Sequence, residues 1–270
     1  MNVVITEPSA APVIHALRSI GYNPSTAVAD LVDNCLDAKA TVININFVYG
    51  ETDGMITIAD NGSGMNEEML QTAMNIGSKD PRAKRAVNEL GRFGMGLKTA
   101  SFSMGKRLCV LTKSNGIYHE RCWDLDHVSE CNEWQLFTSI PDEVKLKMGT
   151  IADDSGTIIC IDKLDRFMGA GGKRTLKEIS FFKKVSRINK HLEFVFHSIL
   201  EKNNIKMFIN GKEIIPWDPF MRTHQHTIEG EMQIIRVNDN RIRVQYFILP
   251  HASHLTEPEY KKAGGYKGWR

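Results

Sequence analysis

The chain has little charge imbalance: 34 Lys and Arg stand against 32 Asp and Glu in 270 residues, a formal net charge of +2. That balance removes any global electrostatic argument for nucleic acid or a membrane surface. Its five cysteines (35, 109, 122, 131 and 160) form no CxxC pair and are odd in number. A reducing cytoplasm is the simplest setting for them, as small core hydrophobes. His119, His127 and His254 are scattered without metal-ligand spacing. No stretch approaches the 18 or more apolar residues of a membrane span. Met1-Asn-Val-Val-Ile-Thr is not a basic segment ahead of a long apolar run, so no signal peptide is visible. Internal repeats and low-complexity runs are also missing. What remains, 42% hydrophobic and 24% charged, is ordinary and sufficient for a sizeable core.

Residues 7–22 carry apolar side chains every three or four positions, as a short helix does. Asn23-Pro24-Ser25 breaks that pattern and caps a second helix, Ser25 to Lys39. Thr41 to Tyr49 alternates and Met55 to Ala59 is apolar, with Gly50 to Gly54 as the turn of a hairpin. Asn66 to Asn75 reads as a helix, Gly77 to Leu90 as a polar, mobile loop, and Lys98 to Met104 as another helix. Lys106 to Thr112, Ile117 to Trp123 and Gly156 to Asp162 read as strands. After Gly169-Ala-Gly-Gly172 comes a basic amphipathic helix near Arg174 to Leu200. A β-rich piece follows: Lys206 to Asn210, Lys212 to Ile215, and two strands within Gln233 to Leu249.

Three segments carry chemistry. Asp30-Leu-Val-Asp-Asn34 sets an acid and an amide at i and i+4, on one helical face. A carboxylate can deprotonate an attacking water, and an Asn carbonyl oxygen suits Mg2+. A solvated acidic face is the plain alternative. Asp33 points roughly 60° away from Asp30 around the helix. Second, an apolar strand runs into Asp60-Asn-Gly62-Ser-Gly64-Met65. A carboxylate there can accept from an exocyclic amine, glycines admit close approach, and Met65 offers sulfur to a flat ring. An Asp-Asn-Gly turn is the plain alternative. Third, Gly91-Arg-Phe-Gly94-Met95-Gly96-Leu97-Lys98 opens a helix, where backbone N–H groups and glycines can receive phosphates. A helix-capping glycine loop is the alternative, and neither the Rossmann nor the P-loop spacing is present.

In order and spacing these segments resemble the N, G1 and G2 boxes of the GHKL ATPases (gyrase, heat-shock chaperone, histidine kinase, MutL). They are most similar to the MORC-like and MutL-like branch, whose N box is close to Ala-Glu-Leu-Val-Asp-Asn-x-x-Asp-Ala. The chain has Ala29-Asp30-Leu-Val-Asp-Asn34-Cys-Leu-Asp37-Ala38. Gly156-Thr157 resembles the fourth motif, and Ile76-Gly77-Ser78-Lys79 the start of the ATP lid. The resemblance covers residues 10 to 165. It implies an α+β fold, the two-layer α/β sandwich of the Bergerat ATP-binding type: a mostly antiparallel sheet under helices on one face, with nucleotide between. It implies ATP and Mg2+ as ligands, with Asp30 as base, Asn34 on the metal, and Asp60 on adenine with Thr157 in support. Gly62, Gly64 and Met65 line the base pocket; Gly91, Gly94, Met95, Gly96, Leu97 and Lys98 meet the phosphates; Ser78 and Lys79 belong to the lid.

The domains expected are 1–168 for ATP binding, 169–204 as a basic connecting helix, and 205–270 as the start of a partial transducer-like α/β domain in a longer protein. Asn210-Gly211 and Trp217-Asp218-Pro219-Phe220 are similar to that linker. By resemblance, ATP drives lid closure and homodimerisation of a cytoplasmic clamp, with DNA as a family-weighted partner and no membrane. Lys206, Lys212, Lys261, Lys262 and Lys267 are candidates only by type for a transducer lysine. Lys173 to Lys190, seven Lys/Arg against one Glu, is either a phosphate-binding face or a solvated one. One departure stands out. The N box holds Asp30 where Glu is usual, which sets its carboxylate about 1.5 Å further back. This leaves slow hydrolysis beside two alternatives, a non-hydrolysing ATP switch and a histidine-kinase-type phosphotransferase.

Overall fold

The computed structural model describes residues 8–19, 21–77, 95–169, 173–202, 204–238 and 240–265. Ser78, Lys79, Gly91, Gly94, most of the expected lid and Lys267 lie outside the described residues. The chain divides into two compact units between Ile215 and Pro216.

The first unit opens with α1 (Ala10–Arg18) and α2 (Pro24–Asp37). Asn23 caps α2 by accepting from the Ser25 N–H, and Pro24 occupies its first turn, where a missing N–H is harmless. Ala27, Val28, Leu31, Val32 and Cys35 form the buried stripe of α2. That leaves Asp30, Asp33, Asn34 and Asp37 off the core. Next come β1 (Val42–Val48), β2 (Met55–Asp60), α3 (Glu67–Met74), α4 (Gly96–Phe102), β3 (Arg107–Ser114) and β4 (Ile117–Asp124). They are followed by α5 (Leu125–Cys131), α6 (Asp142–Met148), β5 (Gly156–Asp162), α7 (Asp165–Met168), α8 (Arg174–Val195), α9 (His197–Leu200), β6 (Lys206–Ile209) and β7 (Lys212–Glu213).

The seven strands form one sheet in the order β4-β3-β5-β2-β1-β6-β7. Every neighbouring pair is antiparallel except β1 with β6. Parallel pairing needs a long crossover, and α8 lies in the chain between the sheet's central strands and β6. The Lys206–Ile209 strand, assigned from sequence to the β-rich second piece, therefore belongs to the first sheet. Period-2 alternation sorts the side chains. Ile43, Ile45, Ile56, Ile58, Leu108, Val110, Ile159 and Ile161 enter the main core with α1, α2, α4 and α8. Burial of each such side chain stabilises the fold by roughly 1.5–3 kcal/mol.

The reverse face differs from the one-sided cover expected. Met55, Cys109, Leu111, Cys122, Ile158 and Cys160 point that way and are closed over by Ile140, Val144, Met148 and Ile151 on and around α6. In α8, Phe181, Val185, Ile188 and Leu192 face the core, while Ile179 and Phe182, expected there too, are exposed. The basic residues of α8 lie along the remaining surface.

The second unit holds two small antiparallel pairs, β8 (Ile228–Glu229) with β11 (Phe247–Ile248), and β9 (Gln233–Val237) with β10 (Asn240–Val244). It ends in α10 (Glu257–Lys262), closed by a Thr256–Glu259 capping box. Among the described residues no helix is long and apolar enough to cross a membrane.

Candidate functional site

Asp60 ends β2, the central strand between β1 and β5, and its Cα pairs with that of Thr157 in β5. The Asp60 Oδ1 accepts from the Gly62 N–H at 2.8 Å, and the Cys35 thiol of α2 lies against the same carboxylate. Burial pushes the Asp60 carboxyl up from its ordinary value, opposed by the Gly62, Cys35 and Thr157 donors. This is a half-buried acceptor aimed from a strand end, with a helix against it.

The turn after Asp60 is locked by backbone. Asn61 Oδ1 accepts from Thr41 N and Val42 N, and Ser63 N donates to Ala38 O. Gly64 has φ +63, and a Cβ there would sit 1.9 Å from the Lys113 carbonyl oxygen. Only glycine fits that conformation and that gap. The Met65 N–H donates to Thr112 Oγ1 at 2.9 Å. Thr112 Oγ1 in turn meets Thr157 Oγ1 at 3.1 Å and donates to Gly156 O. Thr112 is fully buried and joins β3, β5 and the glycine turn. Nothing in the sequence around Thr112 marks it as different from any other threonine of a strand.

On α2, Asp30 is partly buried and Asn34 exposed, one turn apart. The Tyr22 hydroxyl donates to Asp30 Oδ2 at 2.8 Å. Asp33 is pushed up to about 6 by burial first, then by Asp30 and Asp37. Burial disfavours the charged form, and the neighbouring carboxylates of the same helix add to that. Asn34 precedes Cys35 on α2, the exposed neighbour of the thiol that lies against Asp60.

Helix α4 packs against α2. Gly96 is its first residue, and a Cβ there would meet open space. Packing within the described residues therefore does not demand glycine at this position. Met95 precedes it as the N-cap residue, and its carbonyl accepts from Thr99 Oγ1. Leu97 packs partly buried against the main core. Lys98 is 2% exposed, and its ammonium donates to Ala73 O at 2.7 Å. Burial pushes Lys98 down to about 8. Its charge thus lies inside, between α4 and the end of α3, rather than in open solvent.

The described residues thus bring Asp60, Gly62, Gly64, Met65 and Thr157 together at the end of β2 and the start of β5, with Cys35 of α2 against them, while Asp30 and Asn34 lie on α2 and Gly96 opens α4, the helix packed against it. Among those residues no cluster of three or more His, Cys, Asp and Glu is placed to hold a metal ion. The donor set fits Mg2+ only in the manner of a phosphate-bound ion, with one hard oxygen from Asn34 and the rest from ligand and water.

Residues 22–157, just over half of the 270, match the family model described as histidine kinase-, DNA gyrase B- and HSP90-like ATPase. The chain is 25% identical over 257 residues to ATPase morc-1 of Caenorhabditis elegans, covering 78% of this chain and 29% of that protein. It is 34% identical over 95 residues to Protein MICRORCHIDIA 4 of Arabidopsis thaliana, covering 33% of this chain and 12% of that one. It is also 34% identical over 93 residues to ATPase MORC2B of Mus musculus, covering 32% and 9%. The chain thus spans under a third of the length of these relatives. With the mixed sheet, the Asp60–Thr157 pair and the α2 carboxylate–amide pair in place, the chain belongs to the histidine kinase-, DNA gyrase B- and HSP90-like ATPase family, on its MORC-like branch.

Proposed function

We propose that this chain binds ATP with Mg2+ between α2, the end of β2 and the N-terminus of α4, and hydrolyses it slowly. The observation that carries this reading is the joining of Asp60, Thr157 and α2 into one hydrogen-bonded locale beside a helix that opens on glycine. Asp60 accepts from the exocyclic amine of adenine, and the Thr157 hydroxyl supports the ring from β5. Gly62, Gly64 and Met65 form the wall against which the base lies. Gly96, Met95 and Leu97 at the start of α4, with Gly91 and Gly94 ahead of them, present N–H groups to the phosphates. Lys98 adds positive potential from below that loop, and Ser78 and Lys79 close over the phosphates with the lid.

Asp30 takes the proton of the attacking water as the water oxygen bonds to the γ-phosphorus and the bond from that phosphorus to the β-phosphate bridging oxygen breaks, leaving ADP and inorganic phosphate. Asn34 would hold Mg2+, which when bound neutralises charge on the phosphate oxygens. The reach lost by having Asp in place of Glu makes hydrolysis slow rather than absent, since about 1 Å of misplacement can cost roughly 100-fold.

The wider reading is a nucleotide-gated clamp. Residues 1–168 bind ATP, 169–215 connect and complete the first sheet, and 216–270 begin a transducer-like domain. ATP-driven lid closure and homodimerisation, a cytoplasmic setting and DNA as the partner belong to this proposal. They are supported by membership of the MORC-like branch rather than by a surface of this chain. Measuring ATP binding by calorimetry with Mg2+ tests the core of it. Asp60→Asn should weaken ATP binding by about 100-fold, roughly what losing a buried charged acceptor costs. An unchanged affinity for ATP in that variant would sink the site assignment.

A further inference from the structure

The acid on α2 is one carbon shorter than a glutamate, and its carboxylate is already engaged. The Tyr22 hydroxyl donates to Asp30 Oδ2 at 2.8 Å across eight residues of sequence. Tyr22 stands immediately before the Asn23 cap of α2, so the cap and Pro24 fix the backbone from which the phenol reaches. Its ring packs, partly buried, against the main core. The same hydroxyl also interacts with Thr99 on α4, and the phenol is pushed up from its ordinary value by burial first, then by Asp30. One hydroxyl thus touches the acid on α2 and the helix that opens from the glycine loop.

The terminal torsion of an Asp side chain is broad and roughly two-fold, so a free carboxylate sweeps a range of orientations. A donor held on Oδ2 restricts that freedom and leaves Oδ1 to accept from a water. A shorter arm makes orientation matter more, because less adjustment remains in the side chain itself. We infer that Tyr22 is a positioning residue for Asp30, holding its carboxylate by one oxygen so that the other meets the attacking water. The inference rests on the reading of Asp30 as the base.

A four-protein cycle of wild type, Tyr22→Phe, Asp30→Asn and the double variant tests it, read by single-turnover ATP hydrolysis and by ATP affinity. Phenylalanine keeps the ring in the core, and Asp30 is open enough for water to replace the lost donor, so retained ATP affinity reports an intact fold. Tyr22→Phe should slow hydrolysis by about 10-fold or more while ATP affinity stays within about 3-fold, the pattern of a group acting only at the chemical step. In the Asp30→Asn background the same change should do nothing further, because residues acting as one unit are not additive. A Tyr22→Phe protein as fast as wild type, or a slowing that persists undiminished beside Asp30→Asn, overturns the role given to Tyr22. An Asp30→Asn protein as fast as wild type, or a wild type without turnover, overturns the base reading, and the Tyr22 role with it.

Discussion

The two ends of the proposed nucleotide site are built differently. The proposed adenine end is tied to neighbouring backbone: the Asn61 side chain stitches the turn to β1, Gly64 sits against the Lys113 carbonyl, and the Thr112 hydroxyl joins Met65, Gly156 and Thr157. The hydrolytic end depends on side chains, with Asp30 held by one phenol and flanked by Asp33 and Asp37. A turn held at several points to fixed backbone tolerates little substitution. A carboxylate on a helix can be shortened, as here, while the helix stays in place. On the proposed function, binding is therefore the more constrained property of the fold and turnover the adjustable one.

The largest effect separating the two ends should come from Gly64→Val at the adenine end. The added side chain meets the Lys113 carbonyl at 1.9 Å from its first carbon, in a backbone conformation that β-branched residues avoid. A loss of about 3 kcal/mol or more of stability is expected, read as a collapse of the thermal midpoint together with ATP binding. A stable Gly64→Val protein with normal ATP affinity would break the contrast.

At the hydrolytic end the expected change is smaller and opposite in sign. Asp33 is raised to about 6 in the fold from an ordinary value near 3.8. Between those values the folded state holds a proton that the unfolded state has lost, so stability declines as pH rises through the window. Above the folded value that penalty is fully present. Asp33→Asn should therefore stabilise the protein at pH 8 by about 1 kcal/mol, after allowing for screening of a half-exposed group. It should do nothing at pH 3, where both states are protonated. Denaturant midpoints at the two pH values check this, and equal shifts at both would contradict a carboxyl raised by burial and by its acidic neighbours.

Much of the site is legible in the sequence because its signals are local. Asn23-Pro24-Ser25 caps α2, alternation marks β1, and Gly62, Gly64 and Gly96 punctuate the ligand side. The features that escape it are produced by tertiary pairing. Tyr22 acquires meaning only when α2 brings Asp30 beside it, and Thr112 only when β3 lies next to β5. The cover of the reverse sheet face escapes because α6 is seven residues long and Leu146 on it points to solvent. Period counting needs a longer window than that. The assignment of β6 to the first sheet escapes because a parallel partner reached across α8 leaves no mark on four residues, Lys206–Ile209.

Single-turnover hydrolysis of Mg2+-ATP by wild type beside Asp30→Asn tests the central claim most directly. The Asp30 account predicts slow but measurable turnover in wild type and a further fall of about 100-fold or more in the variant, the usual reach of a general base, with ATP still bound. Equal rates in the two proteins would contradict it.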